Sequence, residues 1–209
     1  MKYTRSSMKL ILELVIMFNL MAFMVVQTSG QTNNQVSVES GVPFDISTMD
    51  ISPAYPWTES DWEKQYPPEI PANRDSVEWK NIKLSNGVYD FVLGEFGTIE
   101  NVCIYARVVL EADADCKVHL SMGSDDGIAV LVNGVKVFKN NVMRPMTPNQ
   151  DQTDIKLSKG RNEILFRVTQ GGGGMQLQVK ATVLGNAKVT QISAAKQHET
   201  KASDSTPSH

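Results

Sequence analysis

From residue 77 to residue 184, apolar and polar side chains alternate with a period of two, in short runs that glycine, asparagine and aspartate keep interrupting. A strand that buries one face needs that period, while a helix repeats its apolar positions every three to four residues. Two of the interruptions are Asn86-Gly87 and Asn133-Gly134, a dipeptide that suits a two-residue hairpin turn because both residues tolerate positive φ. Lys159-Gly160 and Gly171-Gly172-Gly173-Gly174 mark further turns, and residues 94–97 read as a loop. Short strands broken by turns at this spacing predict an all-β domain over residues 77–186, an antiparallel β-sandwich of the jelly-roll kind.

Within that domain Val102, Ile104, Ala106, Val108 and Leu110 share one face. Cys116, Val118, Leu120 and Met122 continue it if the chain returns as a hairpin around residues 111–115. In that register Cys116 lies opposite Leu110 and Cys103 points to the other face, so the only two cysteines are expected to be free thiols, with Cys116 in the core. His119 is expected on the solvent side, with no second histidine or cysteine at metal-ligand spacing.

The two ends read differently from the middle. Residues 1–30 carry Lys2, Arg5 and Lys9, then an apolar run over residues 14–26, then small residues at Thr28-Ser29-Gly30, the pattern of a secretory signal peptide. The competing reading is a retained anchor, but that run holds 13 residues including Asn19 and is short for a bilayer. The expected product is secreted, periplasmic or displayed on the cell surface, with no stable membrane span. After cleavage 17 Lys+Arg face 22 Asp+Glu, a formal charge of −5 with scattered bases, which excludes nucleic acid as a partner. Residues 31–76 form a polar, proline-rich lead-in with an edge strand over residues 42–51 and a short helix over residues 61–66, started by Ser60 with Glu63 three residues on. Trp57 and Trp62 in it could stack on a sugar, but large rings mostly bury area, so they are expected to plug an edge of the sandwich. Residues 187–209 lack apolar periodicity and read as a disordered tail.

The chemistry concentrates at Gly123-Ser124-Asp125-Asp126-Gly127. Adjacent carboxylates between glycines can ligate a hard cation, which makes Asp125 and Asp126 candidate calcium ligands. They can equally accept backbone amides and fix the turn, and that structural role is preferred because further ligands for a calcium shell are not evident. Arg144 can grip paired hydroxyls, or clamp Asp125, Asp126 or Asp151 and hold down the polar connection over residues 139–150; the clamp is preferred. No catalytic residue is assigned. Glycoside hydrolysis wants two separated carboxylates flanking a cleft, and the three histidines, His119 on a strand and His198 and His209 in the tail, leave no base beside a nucleophile.

From the acidic hinge to Asn133-Gly134, the sequence resembles the galactose-binding-like β-sandwich modules of exported bacterial proteins, often found beside glycoside hydrolase domains. Residues 101–106 upstream, and Asn141, Arg144, residues 148–151, 159–162 and 170–173 downstream, follow that family's order. The hinge is also similar to that of PA14-type modules, in which adjacent aspartates hold calcium in some lectins. The resemblance implies a noncatalytic module with carbohydrate as its ligand. The leading expectation is thus a glycan- or polysaccharide-binding sandwich using loops at one end, with Asp125, Asp126, Asn133 and Arg144 as binding candidates. The rival is a structural or protein-interaction module of an extracellular assembly. Full burial and mutual pairing of both acids and Arg144 would count against the binding site.

Overall fold

The computed structural model describes residues 41–194; the expected signal peptide and most of the expected tail lie outside the described residues. Thirteen strands follow one another among those described: β1 Gly41–Phe44, β2 Thr48–Ile51, β3 Tyr55–Pro56, β4 Lys80–Lys83, β5 Val88–Asp90, β6 Val102–Ala112, β7 Cys116–Asp125, β8 Ile128–Val132, β9 Val135–Asn140, β10 Asp151–Leu157, β11 Gly160–Gln170, β12 Gln176–Leu184 and β13 Val189–Ile192. They form two antiparallel sheets. The first runs β1-β12-β7-β10, with β5 also on β12; the second runs β4-β2-β6-β11-β8-β9, with β13 and β3 also on β6. The expected all-β sandwich is what the chain builds.

The core lies between the sheets. Ile104, Ala106, Val108 and Leu110 of β6, Ile128 and Val130 of β8, and Phe166 of β11 meet Val118, Leu120 and Met122 of β7 and Leu177 and Val179 of β12. The Asn133-Gly134 turn joins β8 to β9 with φ of 51° and 85°, and Asn86-Gly87 makes the equivalent turn at 51° and 76°.

Five expectations change. β6 and β7 are not a hairpin: β7 pairs with β10 and β12, β6 with β11, so residues 113–115 carry the chain across the sandwich. Both thiols are nevertheless free; Cys103 lies under the outer face of β6, and Cys116 is half-buried against the main core. The expected single strand over residues 42–51 is split, β1 in the first sheet and β2 in the second. The expected helix after Ser60 is instead a 3-10 turn, Glu59–Asp61, capped by Thr58, whose backbone N–H donates to Asp61 at 2.8 Å. Residues 94–96 of the expected 94–97 loop belong to a π-helical turn, Val92–Phe96, which Gly97 caps. At the far end four residues of the expected tail form β13, which extends the domain by pairing Val189 with Ala112 and Ile192 with Val109.

A second, smaller core sits on the outer face of the larger sheet. There Cys103, Tyr105 and Ala129 are covered by Trp57, Trp62 and Tyr66 from the proline-rich segment, so the two tryptophans are buried and stacked edge-on, 5.7 Å apart, as the plugging role requires. This segment acts as a strap over the sheet. Its anchor is Arg167, whose side chain is 0% exposed and donates to Glu69 at 3.0 Å, Lys64 O at 3.1 Å and Trp62 O at 2.7 Å. Tyr105 Oη donates to the same Glu69 oxygen at 2.6 Å. Coverage on both faces explains why β8 reads as an unbroken apolar run, Ile128 to Val132, rather than an alternating one.

Candidate functional site

The acidic hinge is the point where the chain leaves one sheet for the other: β7 ends at Asp125 and β8 starts at Ile128. Asp126 N donates to Thr169 O at 2.9 Å and Thr169 N donates to Gly127 O at 2.9 Å, which ties the crossover to the end of β11. The peptide between Asp125 and Asp126 is cis. A β-carbon on Gly127 would lie 2.8 Å from Thr169 Oγ1, 2.8 Å from the Trp62 ring and 3.0 Å from Asn140 O. Gly127→Ala is therefore expected to destabilise the domain by about 1–3 kcal/mol through overpacking, read as a lowered Tm in a thermal melt.

Asp126 is a buried anchor. Its Oδ1 accepts the Arg144 backbone N–H at 2.8 Å and its Oδ2 accepts the Gly171 backbone N–H at 2.9 Å, so one carboxylate fixes two loops, residues 141–150 and 171–174. The Arg144 side chain pairs with Asp151 and donates to Ser124 Oγ at 3.2 Å, while Asn140 Nδ2 donates to Asp151 at 2.8 Å. Arg144 is thus a clamp, with Asp151 as its counter-charge. The same loop is pressed onto β12 and β7: Asn149 N donates to Gln178 Oε1 of β12 at 2.9 Å, and a β-carbon on Gly123 of β7 would come within 2.4 Å of Thr147 O.

Asp125 behaves differently. It is half-buried between the same two loops, its Oδ2 2.9 Å from where a β-carbon on Gly174 would lie, and it is in register with Gln176, which in turn lies opposite Asp90. The Met146 backbone donates to it, but partial burial, the Asp126 charge and the Asp90 charge push its carboxyl up from 3.8 to about 6. The fold favours the protonated form. Its stabilising contribution is therefore complete below the ordinary carboxylate range and is lost as pH rises through about 6. Asp125→Asn is expected to raise Tm at neutral pH and to leave it nearly unchanged near pH 4, about the ordinary carboxylate value, in melts run across that window.

Asn133 does not join this group. It sits at the opposite end of β8, roughly 20 Å from Gly127 at about 3.3 Å per strand residue. Its side chain is occupied by the turn, with Oδ1 accepting Glu163 N at 2.8 Å and Nδ2 donating to Asn162 at 3.0 Å. Of the four binding candidates, then, Asp125, Asp126 and Arg144 converge and Asn133 is a hairpin residue. The hinge also uses groups that sequence reasoning did not single out: the backbone of Thr169 and Gly171, and Gln170, which is fully buried and donates to Gly174 O.

Among the described residues no group of three or more His, Cys, Asp or Glu is arranged to hold a metal ion. The hinge offers oxygen donors of the type a hard cation takes, with Asp125 the more exposed carboxylate and Asp126 already accepting two backbone amides. No helix among the described residues is long and apolar enough to cross a membrane.

No family model and no curated protein matches the chain. Solved structures similar to it include the PA14 domain of the MpAFP antifreeze protein, at 15% identity, covering 66% of this chain and 84% of that one with a TM-score of 0.40. The PA14 sugar-binding domain from an RTX adhesin is similar at 14% identity, covering 70% and 96% with a TM-score of 0.39. Xyl-CBM35 in complex with a disaccharide containing glucuronic acid is similar at 12% identity, covering 42% and 69% with a TM-score of 0.30. These three are PA14 domains and a CBM35, all at low identity.

Proposed function

We propose that this chain is a noncatalytic carbohydrate-binding module of an exported protein, and that it meets its glycan at the hinge end of the sandwich. The observation that carries the reading is the division of labour between two adjacent acids. Asp126 is spent on holding two loops in place, whereas Asp125 is only half-buried between them, with a carboxyl held at about 6. A rigid loop cluster with one under-neutralised carboxylate is suited to accept sugar hydroxyls, directly or through a bound calcium ion that the oxygens of Asp125 and Asp126 would help hold. Arg144 and Asp126 position the loops; Asp125 touches the ligand. Consecutive aspartates, one of them locked by backbone amides, also cannot flank a scissile bond from both sides, which supports the noncatalytic reading.

The test is a glycan array probed with the domain in calcium and in chelator. Binding that is lost in Asp125→Asn while Tm does not fall is the expected result. No binding to any plant, algal or bacterial polysaccharide in either condition overturns the reading and favours a structural or protein-interaction module, for which the buried Asp126–Arg144–Asp151 pairing is the supporting observation.

A further inference from the structure

Asn86-Gly87 and Asn133-Gly134 are the same turn in different surroundings. Their φ values agree, 51° and 76° against 51° and 85°, and both asparagines are exposed. Asn133 is held: its Oδ1 accepts Glu163 N at 2.8 Å and its Nδ2 donates to Asn162 Oδ1 at 3.0 Å. Its turn closes a hairpin that is paired from Val132 and Val135 down to Ile128 and Asn140. Among the described residues, the Asn86 side chain has no hydrogen-bond partner.

The turn at Asn86 also has less behind it. β4 belongs to the larger sheet and β5 to the smaller, and the chain on either side of the turn is joined by the isolated Ser85–Val88 bridge, through two hydrogen bonds of 2.9 Å. One further bond, from Val179 N–H to Gly87 O at 2.9 Å, ties the turn to β12. A segment held by so few bonds opens at a fraction of the free energy of global unfolding.

We propose that Asn86 is a site of spontaneous deamidation in the folded protein, and that the bonds to Asn133 protect the second Asn-Gly pair from the same reaction. When the turn opens, the Gly87 nitrogen bonds to Asn86 Cγ, an approach that glycine allows because it has no β-carbon. The proton of that N–H passes through solvent to the carboxamide nitrogen, which leaves as ammonia. Water then opens the five-membered imide at either carbonyl, and position 86 becomes aspartate or isoaspartate. Each product adds a negative charge, and isoaspartate also puts an extra methylene into the main chain. Gly87 has no room to move towards β12, since even a β-carbon there would lie 2.7 Å from Val179 O. Isoaspartate therefore breaks the bond between Val179 and Gly87 and loosens the entry to β5. That strand ends at Asp90, which accepts Gln176 Nε2 at 2.8 Å and Leu93 N at 2.9 Å next to the hinge. The reaction needs no ligand and stands apart from the glycan reading.

The full chain is aged in mildly alkaline buffer and sampled over time by tryptic peptide mass spectrometry, with isoaspartyl methyltransferase labelling to count isoaspartate. Trypsin separates the two turns, cutting after Lys83 and Arg107 around one and after Lys117 and Lys136 around the other. Deamidation at Asn86 is expected to run about ten times faster than at Asn133, or more, while the protein stays folded. In concentrated urea the two rates are expected to fall within about twofold of each other, because the protection at Asn133 belongs to the fold. Ion exchange isolates the more acidic product, in which Val179 is expected to exchange its amide hydrogen faster than in fresh protein. In Asn86→Gln the main acidic species is expected to disappear. Equal rates in the folded chain, a faster reaction at Asn133, or a preference for Asn86 that persists unchanged in urea overturns the proposal. Unchanged exchange at Val179 in the isoaspartate product overturns its structural consequence.

Discussion

Glu69→Ala is expected to be among the most damaging single changes in this domain, because it leaves the Arg167 guanidinium buried without its counter-charge. Removing one partner of a buried, hydrogen-bonded ion pair costs about 3–5 kcal/mol. For a domain of this size that corresponds to a fall in Tm of roughly 10 °C or more in a calorimetric scan. The loss has a local signature as well. Arg167 holds the strap through Lys64 O and Trp62 O, and Tyr105 loses its acceptor at the same time. With the strap loosened, Cys103, which is 0% exposed beneath it, becomes open to alkylation. Glu69→Gln retains an acceptor for Tyr105 and Arg167 and is expected to recover part of the stability. Native Tm and a protected Cys103 in Glu69→Ala would show that the ion pair does not anchor the strap.

The second large effect is expected at Asp126. In Asp126→Ala the Arg144 and Gly171 backbone amides both lose their acceptor. At about 1–3 kcal/mol for each buried donor left unpaired, the combined cost is about 2–4 kcal/mol after partial rehydration. Hydrogen exchange should report it residue by residue, with faster exchange at Arg144 and Gly171 and little change in the β6–β11 ladder. The comparison with Asp125→Asn separates anchoring from ligand contact. The two acids are neighbours in sequence, yet one substitution is expected to lower stability and the other to raise it at neutral pH. If both behave alike, the division of labour at the hinge is wrong.

Much of the fold is legible in residue alternation because alternation reports directly on which face of a strand is buried. The faces of β6, β7 and β12 and the two Asn-Gly turns follow from it. What alternation does not report is which strand lies alongside. Residues 111–115 look like a hairpin turn, but a short link crosses between sheets as easily as it joins neighbours, and β7 finds its partners in β10 and β12. Both thiols are free for a different reason than a hairpin register supplies, since Cys103 and Cys116 lie on different sheets. The capping box was two residues off because Thr58 and Asp61 carry the same spacing as Ser60 and Glu63. Arg167 left no trace in the sequence: a charge between Phe166 and Val168 reads as an outward, solvated position, and only the strap turns that position into an interior. At the hinge, residue type points to Arg144 as a clamp on one of three acids, and only the fold selects Asp151. The placement of Asn133 is not legible, because proximity in sequence along a strand is distance in space.

The outer edge of β6 is finished in three pieces, by β3 and β2 from the beginning of the domain and β13 from its end. That arrangement has a kinetic consequence. The strand at the centre of the larger sheet cannot acquire its full set of neighbours until the last residues of the domain have emerged, so its pairing with β13, the partner farthest from it in sequence, must wait for them. Chain closure of this kind slows folding and prolongs the exposure of a half-paired edge. A version ending at residue 186 should refold with an extra slow or incomplete phase in stopped-flow fluorescence, and should aggregate at concentrations that the longer chain tolerates.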